Sequence, residues 1–452
     1  MLKTILCTLA LGAAVACSAD TTGDDISRNA DQYLQALSES GRFSGTALLA
    51  RDGQTLFVKG YGFADEKAQL PNSASTRFPA ASITKTFTAT MVLQLQKRGS
   101  LAISDPMCKY VEPCPPAWQS ITLRHLLMHT SGIPNYASAP DFESRSRTRR
   151  SADEIIATFR DLPLEFAPGA RYHYSNSGYF LLGTVLEKVS GRTYATLLAD
   201  FILKPLGMSD SGCLTGEREP PALATGYRPH GANNAAANNV DPSWLFAAGC
   251  IYSTVEDLHK WERALSTDAL LPRSELEAMW SKDLGEYGYG WQILPPSPQT
   301  LNRSLVLHAG GIPGFSTDLL RYPNEHVTVI ILANLNPVGM PEVSRSLSAI
   351  VFGEHYAMPP VRRPHKIDPA IYDTYVGRYE INPAISLDVT REGNQLIVQA
   401  TGQQRDIAVP ESPDTFYSRI SPSRLTFVKD DSGKVDRLVI HDPDRDIPAI
   451  RK

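Results

Sequence analysis

The sequence predicts an α+β fold followed by a small all-β domain, and three observations carry this prediction. Residues 45–60 form a strand, an Asp-Gly turn and a second strand, which together indicate a hairpin. The middle of the chain shows helical patterns, and strand patterns return from Tyr287. Beyond a proline-rich segment at 358–366, only short strand-like runs remain, separated by Gly, Asp, Pro or Ser. This final region predicts a small β-barrel or β-sandwich. Six strands are expected in it, at 386–389, 395–399, 405–409, 416–420, 425–428 and 437–441.

Length and composition indicate a globular protein with two or three domains. The chain has 452 residues, of which 42% are hydrophobic and 20% are charged, and its net charge is −4. The short basic patch at 145–150 is interpreted as the solvated start of a helix. Because there is no long basic run, the sequence does not predict nucleic-acid binding.

The first sixteen residues differ from the rest and predict export. Lys3 precedes a small apolar run that is too short to span a bilayer as a helix, as in a secretory signal. The sequence Ala-Val-Ala-Cys at 14–17 resembles a bacterial lipobox, so Cys17 is a candidate lipid anchor. The alternative is simple cleavage near Ala16 or Ala19, with release into the periplasm. The predicted division is therefore a signal at 1–16, a tether at 17–27, a catalytic domain at 28–357, a linker at 358–366 and a β-domain at 367–452.

Four cysteines remain once the signal and Cys17 are set aside, and export favours their pairing. They are Cys108, Cys114, Cys213 and Cys250, which allow three pairings. Cys108 and Cys114 lie in one proline-containing loop, so this pair is favoured, and Cys213 with Cys250 follows by elimination. Metal binding is the rival interpretation, but no Cys-x-x-Cys or matching histidine pair is present.

A serine and a lysine three residues apart are the candidate catalytic pair. A helix is predicted after Pro79, with a stop at Gly99, so Ser82 and Lys85 should share one face near its start. An apolar stripe supports the helix: Ile83, Phe87, Met91 and Leu95. A buried, neutral lysine could accept the proton of a nucleophilic serine. The backbone N–H of Ser82 could stabilise the developing negative charge. The motif alone is weak, because a chain of this length contains about one match by chance.

Two further segments offer groups that could complete such a site. Tyr174 could shuttle protons if nearby cations lower its pKa, and Asn176 could bond to Lys85 and to a substrate carbonyl. The alternative is that the tyrosines around 172–179 are only packed aromatics.

Further along, a predicted strand ends in His308-Ala-Gly310-Gly311. Gly311 would let a substrate approach the strand and would supply a second oxyanion N–H. His308 could bond to substrate or to the serine–tyrosine network, although a lone histidine is more often structural. His125 and His129, four apart on a short helix, could form a metal pair, but a packing or pocket-wall role is favoured because no third ligand is apparent.

The order of the three motifs resembles the signature of serine β-lactamases and penicillin-binding enzymes. Ser-x-x-Lys at 82–85 is followed by Tyr-x-Asn at 174–176 and His-x-Gly at 308–310. The Tyr-x-Asn form is similar to the class C branch, which includes esterase, D-aminopeptidase and D-Ala-D-Ala carboxypeptidase relatives. Supporting similarities lie at 60–62, 126–132, 205–208 and 308–314. The resemblance covers about residues 28–353, and the C-terminal region resembles the lipocalin-like β-domain of some members.

This resemblance implies a penicillin-binding transpeptidase-like architecture and an acyl-enzyme mechanism. An antiparallel sheet would be flanked by helices, and a mostly helical insertion would carry Tyr174. Ser82 would attack a carbonyl, Lys85 and Tyr174 would share the proton transfers, and the N–H groups of Ser82 and Gly311 would hold the oxyanion. No metal or cofactor would be required.

The resemblance also limits the expected substrate. Class C β-lactamases carry a lysine where this chain has His308, and histidine is largely neutral at pH 7. Efficient β-lactamase activity is therefore not expected, and His-x-Gly resembles the peptidase and D-aminopeptidase branch. The absence of Gly-x-Ser-x-Gly argues against an α/β-hydrolase esterase. The expected partner is a small ester or peptide, with a penicillin-binding sensor or scaffold and a weak β-lactamase as alternatives. The oligomeric state is not predicted.

Overall fold

The computed structural model describes residues 22–403, 405–442 and 445–452. A six-stranded antiparallel sheet with helices on both faces is followed by an eight-stranded closed barrel. The predicted signal segment and Cys17 lie outside the described residues. Within the described part, no helix combines the length and apolar character needed to cross a bilayer.

The strands before the barrel form one large sheet and several small ones. The large sheet has the order β10-β11-β12-β13-β1-β2, so the hairpin near the start of the chain pairs with strands from the end of the domain. The strands are β1 Gly45–Arg51, β2 Gln54–Tyr61, β3 Phe63–Asp65, β4 Leu70–Pro71, β5 Phe78–Pro79, β6 Gly212–Cys213, β7 Tyr227–His230, β8 Asn233–Ala236, β9 Ile251–Ser253, β10 Gln292–Leu294, β11 Leu305–Ile312, β12 Phe315–Tyr322 and β13 Val327–Ala333.

Helices fill the middle of the chain, as the sequence predicts. They are α1 Gly23–Glu39, α2 Thr84–Lys97, α3 Leu123–Leu127, α4 Phe142–Arg145, α5 Ala152–Arg160, α6 Asn176–Ser190, α7 Tyr194–Leu198, α8 Lys204–Leu206, α9 Phe246–Gly249, α10 Val255–Ala264, α11 Arg273–Met279, α12 Met340–Phe352 and α13 Tyr372–Tyr375, with a π-helical turn at Ala199–Leu203 between α7 and α8. Thr122 and Ser151 each accept a backbone N–H at the start of their helices, α3 and α5. Helix α1 begins at Gly23, and Thr22 caps it.

Two local predictions need correction. The prediction that a strand starts at Tyr287 is wrong, because residues 287–291 form a turn and β10 begins only at Gln292. The apolar stripe on α2 also does not mark a single buried face. Every residue from Thr84 to Leu95 is buried, because α2 is surrounded by the sheet and the helical region. A helix buried all round carries its polar residues into the interior, and Lys85 is one of them.

The two faces of the sheet have separate cores. Helices α1 and α12 cover one face, with Tyr33, Leu347 and Ile331 among the buried residues. Helices α2 and α10 cover the other, where Phe87 stacks on Trp261 with ring centroids 4.0 Å apart. The catalytic candidates Ser82 and Lys85 therefore belong to the second layer, next to the middle of the sheet.

A buried carboxyl on β12 gives the sheet a pH-dependent stability. Asp318 is 5% exposed, its Oδ2 accepts a hydrogen bond from Ser344 Oγ at 2.5 Å, and burial raises its pKa to about 7. The folded protein therefore binds the proton more tightly than the unfolded chain, so this group lowers the stability as pH rises from about 4 to about 7.

Asp318→Asn should remove this penalty while keeping the hydrogen bond from Ser344. We expect the variant to gain stability over the wild type as pH rises through that window, by at most about 4 kcal/mol, and to gain nothing below pH 4. Urea unfolding at pH 4 and pH 8 measures this difference, with the exposed Asp436→Asn as the control. An equal effect of Asp318→Asn at both pH values would contradict the prediction.

The C-terminal barrel closes through its first and last strands. Strands β14 Gly377–Asn382, β15 Ile385–Glu392, β16 Gln395–Ala400, β17 Asp406–Pro410, β18 Thr415–Tyr417, β19 Arg424–Lys429, β20 Val435–His441 and β21 Asp446–Arg451 pair in sequence order, and β14 pairs with β21. The barrel alternative of the predicted β-domain is therefore the observed one. The sequence-based expectation omitted β14 and β21, the two strands that close it.

Arg419 of the barrel reaches into the catalytic domain. Its side chain is 3% exposed and donates hydrogen bonds to the carbonyl oxygens of Gly41 and Gly231 and to Asn234 Oδ1. The linker is held similarly, since Arg362 N donates to Ser40 Oγ at 2.9 Å. The barrel is thereby attached to the β7–β8 hairpin by buried, charge-assisted hydrogen bonds.

Candidate active site

Ser82 lies in a tight turn at the start of α2, beside the end of β11. The 3₁₀ turn Ala81–Ile83 runs directly into the helix, and Ala81 has a φ of 49°, which is uncommon for a residue with a side chain. Gly310 allows the close approach, because a Cβ there would lie 2.5 Å from the Ala80 carbonyl oxygen. Ser82 is partly exposed while its neighbours Ala81 and Ile83 are buried, so only the serine faces the cavity.

Lys85 is placed to act on the Ser82 hydroxyl. Its Nζ lies 3.0 Å from Ser82 Oγ, 2.8 Å from Asn176 Oδ1 and 2.8 Å from the Ala248 carbonyl oxygen. A neutral amine has two N–H groups and one lone pair. The two N–H groups match the two carbonyl oxygens, which leaves the lone pair for the serine proton.

Burial supports the neutral form of Lys85. The side chain is 0% exposed, and no described carboxylate forms an ion pair with it. Desolvation therefore lowers its pKa well below the usual lysine range. A lysine base that is already deprotonated can accept a proton at neutral pH.

Tyr174 lies over the same pair from the helical side. The Lys85 Nζ is 5.0 Å from the centroid of its ring. Burial raises the pKa of Tyr174 above the ordinary tyrosine range, and the nearby Ser82 side chain only partly opposes this. The expectation that nearby cations lower its pKa is therefore wrong, because the nearest lysine is itself neutralised by burial. In the resting site Tyr174 is a neutral proton donor.

Asn176 orients Lys85 and is itself held from the other side. Its backbone N–H and its side-chain Nδ2 both donate to Asn135 Oδ1, at 3.1 and 3.2 Å. Sequence reasoning did not single out Asn135, although it lies just after the His-Thr-Ser-Gly segment at 129–132. The Ala248 carbonyl was also missed, because a backbone acceptor leaves no trace in residue type.

Gly311 provides an open position opposite Ser82. A Cβ at Gly311 would have only Asn336 Nδ2 near it, at 4.0 Å, so the strand edge is free for a substrate. Ser82 and Gly311 line the same small cavity of about 110 Å³. Their backbone N–H groups are the candidate oxyanion donors.

His308 is in the site but does not face the substrate position directly. Its Nδ1 lies 2.7 Å from the Ala309 carbonyl oxygen, and its Nε2 lies 2.9 Å from the Tyr287 hydroxyl. Burial lowers its pKa to about 3, so the ring is neutral. Neither nitrogen is bonded to Ser82 or Tyr174, so His308 reaches that network only through Tyr287 and ring contact.

The prediction that His125 and His129 share one short helix is wrong, because α3 ends at Leu127 and His129 lies in the turn after it with a φ of 56°. Both histidines have structural surroundings. His129 is buried against Tyr174, with ring centroids 4.2 Å apart, and its Nδ1 accepts the Ser175 N–H. His125 Nδ1 accepts the Thr122 N–H at the start of α3. Among the residues that the structure describes, no three His, Cys, Asp or Glu side chains gather as a metal site would require.

Both cysteine pairs form in the structure. Cys108 is bonded to Cys114, and Cys213 is bonded to Cys250. The second bond joins β6 to the residue that follows α9, two positions after the Ala248 carbonyl that contacts Lys85. It therefore restrains the wall of the site that orients the lysine.

Tyr174→Phe tests the proton-donor role without disturbing the packing. We expect the rate of substrate turnover to fall about 100-fold or more, because the leaving group then lacks its positioned proton donor. Steady-state hydrolysis measures this, with the half-buried Tyr172→Phe as a neighbouring control. An unchanged rate in Tyr174→Phe would remove this residue from the proton path.

Ser82 has a buried, neutral lysine at hydrogen-bond distance and a tyrosine beside both, which suits nucleophilic attack and an acyl-enzyme, the chemistry of serine hydrolases. The comparisons agree with this class. Residues 30–350 match the Beta-lactamase family, and residues 361–451 match DUF3471, a domain of unknown function. The chain belongs to the Beta-lactamase family, whose members include penicillin-binding proteins.

Some relatives share the fold of the catalytic domain, and others match nearly the whole chain, including the C-terminal domain. The chain is 29% identical over 419 residues to Penicillin-binding protein 4* of Bacillus subtilis, covering 87% of this chain and 92% of that protein. A D-stereospecific amidohydrolase from Streptomyces sp. superposes with a TM-score of 0.61 at 28% identity, covering 73% of this chain and 99% of that one. An octameric penicillin-binding protein homologue from Pyrococcus abyssi has a TM-score of 0.67 at 24% identity and covers 94% and 98%, which shows that the two-domain fold is shared.

Proposed function

We propose that this protein is an exported serine hydrolase that cleaves a small ester or an amide or peptide bond next to a D-amino acid. The observation that carries the proposal is the environment of Lys85, whose two carbonyl partners leave its lone pair for Ser82. The similarity to a D-stereospecific amidohydrolase supports the substrate class.

The reaction has two stages, acylation of Ser82 and deacylation by water. In acylation, Ser82 Oγ bonds to the substrate carbonyl carbon while its proton passes to Lys85 Nζ, and Tyr174 gives a proton to the leaving group as its bond to carbon breaks. Proton return from Lys85 to Tyr174 restores both groups. In deacylation, a water repeats these transfers, and Ser82 leaves with its proton. The N–H groups of Ser82 and Gly311 stabilise the oxyanion in both halves.

The neutral His308 supports a peptidase or esterase over an efficient β-lactamase. Its ring is neutral because its pKa is about 3, so it supplies no fixed cation for the carboxylate of a β-lactam. Slow deacylation of penicillin would instead leave a stable adduct on Ser82, as in a penicillin-binding sensor. The lifetime of the penicillin adduct on Ser82 distinguishes such a sensor from a hydrolase.

Export is part of the proposal and is supported by the sequence of residues 1–17 and by the two disulfides, which persist in oxidising compartments. We propose that Cys17 is the lipidated first residue of the mature protein and that this lipid is its link to a membrane. Mass spectrometry of the N-terminus purified from its natural host tests this. A lipid on Cys17 is expected, and a chain that begins at another residue would overturn the anchor.

Three reagents applied to the mature protein test the hydrolase proposal. We expect a fluorophosphonate to label Ser82, D-aminoacyl amides or p-nitrophenyl esters to turn over, and penicillin to give only a short-lived mass adduct. Paired D- and L-aminoacyl amides test the stereochemical part, and a preference for D is expected. A long-lived penicillin adduct without turnover of any ester or amide would overturn the proposal in favour of a binding protein.

A further inference from the structure

We propose that Arg228 binds a carboxylate of the substrate and that the C-terminal barrel holds Arg228 in place through Arg419. This inference rests on the proposed hydrolase function and narrows its substrates to molecules with a negative charge away from the scissile bond. It joins two features that the catalytic mechanism does not use: a cation in the cleft and an interdomain anchor.

The cavity at Ser82 is continuous with the space beside Arg228. The small cavity at Ser82 shares Gly311, Ile312 and Pro313 with a larger cavity of about 570 Å³. Arg228 also lines this larger cavity. A third cavity, of about 380 Å³, continues from Arg228 and Asn336 to the barrel. A substrate seated at Ser82 can therefore extend past Gly311 toward Arg228.

Backbone contacts place Arg228 near the oxyanion position. Asn336 Nδ2 lies 4.0 Å from the Cβ position of Gly311. The backbone N–H of the same Asn336 donates to the Tyr227 carbonyl oxygen at 3.0 Å, and Arg228 is the next residue. Asn336 therefore lies between Gly311 on β11, where the substrate carbonyl would bind, and strand β7, which carries Arg228.

The charge of the Arg228 side chain is not neutralised by a neighbour. Arg228 is exposed, and its side chain makes no hydrogen bond or ion pair with any residue that the structure describes, although its backbone pairs with Ala235 in the β7–β8 hairpin. The other charged residue of the larger cavity, Glu143, is paired with Arg147 at 2.8 Å. On the barrel side, the cation Arg405 is paired with Glu392. Among the described residues that line these three cavities, Arg228 is therefore the available cation, and its planar guanidinium suits a carboxylate.

The barrel holds the hairpin that carries Arg228. It lies on β7, and the β7–β8 turn is attached to the barrel by Arg419, which donates to the Gly231 carbonyl oxygen at 3.0 Å and to Asn234 Oδ1 at 2.6 Å. Asn234 in turn donates to Glu66. A two-stranded hairpin is only marginally stable by itself, so these contacts fix the position of its arginine.

The test measures discrimination between matched ligands that differ only in the carboxylate. One pair is an N-acetyl D-dipeptide with a free C-terminal carboxylate and its C-terminal amide. The other is an N-succinyl and an N-acetyl D-aminoacyl amide, which places the charge on the opposite side of the scissile bond. Calorimetry with the Ser82→Ala protein measures binding, and steady-state hydrolysis by the wild-type serine protein measures kcat/KM.

We expect the carboxylate member of one pair to be favoured about tenfold or more in both measurements. Arg228→Gln should abolish this ratio, and Arg228→Lys should retain part of it, because lysine keeps the charge but loses the planar fork. The exposed Arg437→Gln removes the same charge elsewhere and should leave the ratio unchanged. Arg419→Gln should raise KM for the carboxylate substrate more than it lowers kcat, as expected for a positioning residue.

The outcomes separate this inference from the function on which it rests. Equal affinities within both pairs, or a ratio unchanged in Arg228→Gln, would overturn the role of Arg228 even if D-peptides are hydrolysed. A carboxylate preference in binding that depends on Arg228, with no turnover of any ester or amide, would overturn the hydrolase proposal and leave the anion site standing.

Discussion

Ser82→Ala is expected to abolish turnover and to leave the fold intact. The only atom lost is Oγ, which forms the acyl bond, so kcat should fall by about 10⁴-fold or more. Ser82 is partly exposed, and Lys85 keeps its contacts with Asn176 and the Ala248 carbonyl when the Ser82 hydroxyl is removed, so the change in unfolding free energy should stay within about 1 kcal/mol. The variant should also lose fluorophosphonate labelling.

The exposed Ser75→Ala, seven residues earlier, is a matched control and should retain full activity and labelling. Hydrolysis assays and intact mass measure activity and labelling, and urea unfolding checks the fold. Residual activity of Ser82→Ala above a few per cent would reject Ser82 as the nucleophile.

Lys85→Met is expected to have the next largest effect. Methionine has a similar length and no nitrogen, so the buried volume is kept while the proton acceptor of Ser82 is removed. We expect acylation to slow by about 10³-fold, in the middle of the range for a positioned general base. The carbonyl oxygens of Asn176 and Ala248 lose a donor, which offsets the benefit of removing a buried amine.

The pH profile adds a second readout for Lys85. Burial lowers its pKa, so the wild type should keep kcat/KM well below the pH at which an ordinary lysine becomes protonated, and should lose it when Lys85 itself becomes protonated. Protonation of His308 cannot cause a loss of kcat/KM near neutral pH, because its pKa is about 3. Single-turnover acylation across pH measures both effects. Lys97→Met, at the exposed end of the same helix, is the control and should change neither rate nor profile.

A Lys85→Met protein that acylates at the wild-type rate would assign the base to another group. Tyr174 would then be the candidate, and its phenolate would have to form despite a pKa raised by burial. Comparing Lys85→Met with Tyr174→Phe therefore tells which residue accepts the serine proton and which one serves the leaving group.

Sequence alone determined the features that depend on neighbouring residues. The turn at Asp52-Gly53, the caps Thr122 and Ser151, and the Ser82–Lys85 spacing were all predictable, because each is a contact over a few residues. The order of the three motifs also indicated the family, although no single motif was specific.

Tertiary structure decided what surrounds those residues. The neutral state of Lys85 depends on a helix buried on every face, whereas the apolar stripe predicted only one buried face. The bond between Tyr287 and His308 and the Ala248 contact join residues far apart in the chain. Strands β14 and β21 also escaped prediction, because barrel closure is a pairing of chain ends. Desolvation and long-range pairing arise only when the chain is packed, and residue spacing does not encode them locally.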